Sequence, residues 1–357
     1  MFFCTQNLII GEKTHILQTY FDESTILTSW LGLDIMWVER GLTTLIAKKR
    51  MEEPDLKIAV IGAGAMGSLY GGYLSKENDV TLVDIWQQHV DAINNTGLII
   101  EEGFGSVNTY NPKATSDPTT VGKVDLVVLF VKSIQTADAL AKNKALIGPN
   151  TIMLSLQNGY GNADDMLKYV PQSQVLVGTT SDGSTLMGTG HISHKGKGHT
   201  YVGALSDDQT QAEKVVQILR GAGFDAEVSN NVIDLVWRKL FINIALNPIT
   251  AILDALNGYV NDNEHAQNAA KLAVYEAVDI ANADGMNFDH NKVFNSVLEV
   301  ACSTAKNRSS MLTDVTNKRE TEIDKINGAV VSKAAELGLN TPVNALLINL
   351  VKAKGVL

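Results

Sequence analysis

A chain of 357 residues, 45% hydrophobic and 19% charged with only 7 prolines, is long and apolar enough for two packed domains and excludes disorder in bulk. Its net charge of -10 argues against a nucleic-acid partner, which would need a basic face to neutralise phosphates. Two cysteines, Cys4 and Cys302, make neither a disulfide framework nor a metal-ligand spacing, so a cytoplasmic protein is expected, with Cys302 as a small core residue.

The most apolar piece of the first 50 or so residues is Ile26 to Val38. Asp34 interrupts it, Glu39 and Arg40 follow, and it falls short of the roughly 20 residues that span a bilayer. With no basic start and no small-residue cleavage site, it does not read as a signal peptide either. Residues 1–56 are expected to be an extension of unknown role. Translation from Met51 is one account of them, which native peptides from residues 1–50 in a mass spectrum would reject.

The nucleotide fold is expected to begin at Lys57-Ile-Ala-Val-Ile-Gly-Ala-Gly-Ala-Met-Gly67, a short apolar run feeding into Gly-x-Gly-x-x-Gly. Lys57 to Ile61 is a candidate buried parallel strand. Gly62 supplies the tight turn, Gly64 lets a pyrophosphate approach the backbone, and Gly67 lets the next helix pack closely. The anion would then sit on free N–H groups at the helix start, around Ala65 and Met66. A second strand, Asp79 to Val83, ends in Asp84. That carboxylate stands about 20 residues beyond the glycines, where one accepts hydrogen bonds from ribose hydroxyls.

Gln88 to Asn95 then reads as helix, and Val124 to Val131 and Thr151 to Leu156 as strands buried on both faces, so the expected fold is a doubly wound, mainly parallel Rossmann-like sheet. From Val175 the chain turns more β-like. The stretch Gly188 to Gly203 reads as a hairpin, and the alternation of a turn-rich ribbon explains its His191, His194 and His199 better than a metal site, which lacks a completing ligand. Beyond Asp225 helical periodicity dominates: Val232 to Ala255, Glu264 to Ala283, His290 to Ala305, Thr313 to Leu337 and Pro342 to Lys354. The expected division is 57–230 for dinucleotide binding and 231–357 as an all-α substrate and dimerisation part, with a homodimer left open.

In the first long helix Lys239, Asn243 and Asn247 recur every four positions among large apolar residues, so they share one face. The stripe lines a cleft or is merely a solvated face; spacing alone leaves both readings open.

Four blocks in order make the chain from Lys57 onward resemble the ketopantoate reductase (2-dehydropantoate 2-reductase) family: Gly62-Ala-Gly-Ala-Met-Gly67; Leu154-Ser-Leu-Gln-Asn-Gly159; Lys239-x3-Asn243-x3-Asn247-Pro-x-Thr250 with Asn257-Gly258; and Ser309-Ser-Met-Leu-x-Asp314 continuing to Thr321-Glu-Ile-Asp324 and Ile326-Asn-Gly328. The resemblance implies hydride transfer from a nicotinamide cofactor to C2 of a branched 2-oxo acid, giving the (R)-2-hydroxy acid. It implies Lys239 as general acid on the keto oxygen, and Glu322 as the carboxylate that tunes it and accepts from a substrate hydroxyl. Asn158 would orient the cofactor's amide side and the lysine. Asn243, Asn247, Asn257 and Ser310 would contact substrate, and Lys132 would approach the adenosine phosphates. From the residues alone, Asn158 is equally a turn former, Ser310 a helix cap and Glu322 one acid among several on a charged helix.

Many family members place a basic residue after the second strand to meet the 2'-phosphate of NADPH. Here the position reads Val83-Asp84-Ile85-Trp86, which favours NAD(H) and disfavours a second negative charge. Lys132 keeps NADP(H) open. NAD-linked relatives resemble D-2-hydroxyacid dehydrogenases of the mandelate or branched-chain type, the alternative activity. A dinucleotide sensor without catalysis is the rival from another class, and a paired Lys239 and Glu322 speak against it.

Overall fold

The computed structural model describes residues 56–355; Cys4, the Ile26 to Val38 segment and Met51 lie outside them. The chain runs β1 (Lys57–Ile61), α1 (Ala65–Leu74), β2 (Asp79–Val83), α2 (Gln87–Thr96), β3 (Leu98–Glu101), β4 (Val107–Tyr110), β5 (Lys113–Thr115), β6 (Leu126–Leu129), α3 (Thr136–Lys142), β7 (Ile152–Ser155), α4 (Asn162–Met166) and β8 (Val175–Thr180). β9 (Gly183–Gly188), β10 (His191–Gly196), β11 (His199–Ala204), α5 (Thr210–Ala222) and β12 (Asp225–Val228) complete the sheet-forming part.

Four consecutive apolar residues, Ile58 to Ile61, leave β1 no polar face to show to water, so it is covered on both sides. It sits between β2 and β6, parallel to each, in an eight-stranded sheet of order β12-β11-β8-β7-β6-β1-β2-β5. Only the β8–β11 pairing is antiparallel. The chain winds one way from β1 to β2 and the other way from β6 through β7 to β8. The order therefore reverses between β1 and β6, the switch point at which ligands of doubly wound sheets bind.

Sequence reading did not anticipate a second, four-stranded sheet of order β4-β3-β10-β9. The expected ribbon is divided between sheets: β9 and β10 form a hairpin in the small one, and β11 crosses to the large one. Helix α1 lies between them, its Gly71 pressed on Leu82 of the large sheet and its Gly72 on Ile100 of the small one, so neither position has room for a Cβ.

The remainder is helical: α6 (Val232–Leu253), α7 (Tyr259–Asp262), α8 (Glu264–Ala283), α9 (His290–Ser303), α10 (Ser310–Thr316), α11 (Asn327–Glu336) and α12 (Pro342–Gly355). α6 is apolar on nearly every side and forms the axis against which α8, α9, α10 and α12 pack. Pro248 inside it cannot donate to Ile244. The buried amide of Asn327 reaches that carbonyl at 3.5 Å and also donates to Asn344, which is held in turn by Ala273 and Glu276.

Two expectations need correction. The segment Thr313 to Leu337 is not one helix, because residues 317–322 contain no apolar side chain to continue a buried stripe; the chain leaves α10, passes Lys318 at φ 53° and resumes at α11. Glu322 thus lies in a break between helices. Cys302 is exposed rather than in the core, one residue off the buried face formed by Val293, Phe294, Val297 and Ala301.

Candidate active site

The loop after β1 is shaped by what its glycines exclude. Gly62 has φ 94°, and a Cβ there would lie 2.6 Å from the Val131 nitrogen; a Cβ on Gly67 would lie 1.8 Å from the Gly62 oxygen. Around Gly64, by contrast, nothing stands within 4 Å. Gly64 caps α1 without a side chain, so the first-turn N–H groups at Ala65, Met66 and Gly67 have no partner within the helix. At the end of β2, Asp84 accepts from the Ala63 nitrogen at 2.6 Å and from the Trp86 nitrogen at 2.9 Å. Free amides over open space and a carboxylate beside them are the donors and acceptor that a pyrophosphate and a ribose require, so these residues fit a dinucleotide.

Beside this loop is a cavity of about 200 Å³ whose lining includes Met66, Lys132, Asn158, Lys239 and Glu322. Each comes from a different element: the start of α1, the loops after β6 and β7, the helix α6, and the break after α10. The ammonium of Lys239 donates to the Thr180 carbonyl at 2.9 Å. Burial pushes its pKa down to about 8, against the upward pull of the Glu322 charge. Glu322 accepts through one oxygen from the nitrogen and hydroxyl of Ser133, at 2.9 and 2.8 Å, and through the other from the Asn158 amide at 3.5 Å.

The expected site residues divide. Asn158 faces Glu322, while the left-handed turn position belongs to Gly159 at φ 87°. Lys132 pairs with Asp314 at 2.8 Å and donates to the Glu320 carbonyl. Asn243 is half-buried and Asn247 buried on α6, and among the described residues no hydrogen bond reaches either side chain. Buried Asn257 donates to Thr304 at 3.0 Å and leaves its carbonyl oxygen unpaired. Ser310 is exposed at the start of α10; the cap is its buried neighbour Ser309, which accepts from Leu312 and bonds Thr250 at 2.7 Å. None of these four lines the cavity that holds Lys239.

Sequence reasoning missed Ser133, Gln157, Thr180 and Asp182. Thr180 is the last residue of β8, and the other three stand within a few residues of a strand's C-terminal end at the binding edge, which was the available signal. The three histidines each face a carboxylate: His191 meets Glu101 at 3.0 Å, His194 meets Asp182 at 3.4 Å, and His199 meets Asp225 at 2.8 Å. Among the described residues no group of three or more His, Cys, Asp or Glu is arranged to hold a metal ion, and no helix is long and apolar enough to cross a membrane.

Comparison with known proteins is consistent along the described chain. Residues 58–207 match the family model Ketopantoate reductase PanE/ApbA, and residues 231–355 match its C-terminal companion. The 2-dehydropantoate 2-reductase of Pyrococcus horikoshii is 37% identical over 301 residues, covering 84% of this chain and 97% of the relative. That of Streptococcus pyogenes is 33% identical over 301 residues, covering 83% and 97%. Among solved structures, the ternary structure of D-mandelate dehydrogenase with NADH and anilino(oxo)acetate is similar with a TM-score of 0.80 at 31% identity, covering 84% of this chain and 98% of that one. A PanE/ApbA family ketopantoate reductase from Ralstonia eutropha gives 0.77 at 31% identity, covering 84% and 99%. With both family models matched in order and relatives above 30% identity along nearly their whole length, the chain belongs to the ketopantoate reductase family of oxidoreductases.

Proposed function

We propose that this protein reduces a branched 2-oxo acid at C2 to the (R)-2-hydroxy acid, with NADH favoured over NADPH, in the manner of a 2-dehydropantoate 2-reductase. The observation that carries the reading is Lys239 and Glu322 on one cavity directly beside the open glycine loop. When bound, a reduced nicotinamide supplies the hydride; the chain's own residues manage position and charge.

Lys239, an ammonium at neutral pH, moves from the Thr180 carbonyl to the keto oxygen and gives it a proton as charge develops there. The amine left behind regains its proton from solvent. Glu322 keeps that ammonium charged against burial and offers an acceptor to a substrate hydroxyl. Asn158 steadies Glu322. The family resemblance gives Asn243, Asn247, Asn257 and Ser310 to the substrate's oxygens; because none of the four lines the cavity that holds Lys239, their contact with substrate requires the cleft to close. Asp84 selects NADH because its charge would repel a 2'-phosphate.

A second reading has its own support. The similar D-mandelate dehydrogenase structures contain NADH, in keeping with Asp84, so an NAD-linked D-2-hydroxyacid dehydrogenase is the alternative. Initial rates with NADH and NADPH, each against ketopantoate, phenylglyoxylate and 2-oxoisocaproate, decide between them. A site built to bond a hydroxyl rejects analogues lacking it by factors on the order of 10⁴. Strong preference for ketopantoate supports the first reading, and faster reduction of the hydroxyl-free acids supports the second.

A further inference from the structure

Glu322 has no helix to hold it. It stands at the end of the all-polar stretch 317–322, before a single turn at Ile323–Lys325, so its orientation must come from elsewhere. It comes from the opposite wall of the cleft. Ser133, fully buried, directs both its backbone N–H and its hydroxyl at the same Glu322 oxygen, at 2.9 and 2.8 Å. Two donors on one oxygen anchor that end of the carboxylate and leave the second oxygen to Asn158 and the cavity. The adjacent Lys132 grips the same segment through Asp314 and the Glu320 carbonyl. The carbonyl of Ser133 is anchored by Thr136 at 2.9 Å, so the donor is itself held.

We infer that Ser133 is a positioning residue for catalysis: from the dinucleotide side of the cleft it holds the Glu322 carboxylate on the wall of the cavity that Lys239 shares. The inference rests on the proposed roles of Lys239 and Glu322. Its consequence falls on the lysine, whose proton affinity Glu322 raises against burial. A carboxylate released from Ser133 no longer holds a fixed place near the ammonium, and the lysine then loses its proton at lower pH.

The experiment is the pH profile of kcat/KM for 2-oxo acid reduction in wild type, Ser133→Ala, Glu322→Gln and the double variant, with NADH dissociation constants from fluorescence titration. Glu322→Gln should move the alkaline limb to lower pH. Ser133→Ala should move it the same way by roughly half a pH unit, should add no further shift in the Glu322→Gln background, and should leave NADH affinity within about twofold. A Ser133→Ala limb at the wild-type position beside a shifted Glu322→Gln limb would overturn the inference and leave the site reading intact. A limb unmoved by Glu322→Gln would sink the Lys239–Glu322 reading itself. A Ser133→Ala loss appearing wholly in NADH binding would reduce Ser133 to a part of the cofactor loop and overturn the inference. Should alanine at this buried position fail to fold, Ser133→Cys keeps the volume with a weaker donor, and the same limb is read.

Discussion

At Lys239 burial and a neighbouring carboxylate pull in opposite directions, and burial wins, leaving the ammonium poised near pH 8. Reduction needs the protonated form, so its rate should fall as pH rises through about 8, while oxidation of the hydroxy acid should gain over the same interval; a common bell in both directions would contradict this. Lys239→Ala should lower kcat by about 10²- to 10⁴-fold with NADH affinity largely intact. Loss of NADH binding instead would remove the lysine from the chemistry. Asp84→Arg should raise the ratio of NADPH to NADH efficiency, and an unchanged ratio would contradict the ribose role. Because Asp84 also accepts from Ala63 and Trp86, efficiency with both cofactors should drop.

The turns of the site depend on close approaches between elements. Gly159, at φ 87°, brings the loop after β7 so near the break after α10 that a Cβ would lie 2.6 Å from the Lys325 oxygen, while Tyr160 donates to that same oxygen at 3.0 Å. Gly159→Ala should cost about 1–3 kcal/mol of stability and slow turnover by displacing the segment that carries Glu322. A melting temperature and kcat equal to wild type would show that the turn adapts freely. Legibility at this scale followed the apolar stripe. Glu264 to Ala283 was readable end to end because its apolar positions recur without a gap. The helix expected over Thr313 to Leu337 failed where the stripe stops, and Glu322 lies in that gap. The amide of Asn327 answering the carbonyl orphaned by Pro248 was invisible, since it joins residues 83 apart.

Across the whole molecule, the parallel sheet and the helical half were legible, because glycine spacing and hydrophobic period are local signals. The small sheet was not: β3 and β10 lie far apart in the chain, and nothing local in Leu98–Glu101 names its partner. The site was half legible in the same way. Motif positions pointed to Lys239, Asn158 and Glu322, but not to Ser133 or Thr180, whose parts are played by contacts across the cleft. Those contacts tie the sheet edge to the helical half at Ser133–Glu322, Tyr160–Lys325 and Thr180–Lys239. Adding substrate to the NADH-bound protein should therefore slow amide hydrogen exchange on both sides together, at residues 131–134 and 318–326; protection confined to one side would mean that the halves respond independently.

Asp84 is both a ligand candidate and a strut of the glycine loop, and that double use bears on how the protein could evolve. A lineage under pressure to use NADPH could not simply discard the carboxylate, because the first step would slacken the loop that every dinucleotide needs. Ile85, 87% exposed and next in the chain, carries no such duty. A basic side chain arising there could court the extra phosphate while the strut stayed in place, so a change of cofactor would begin beside Asp84 and reach it last.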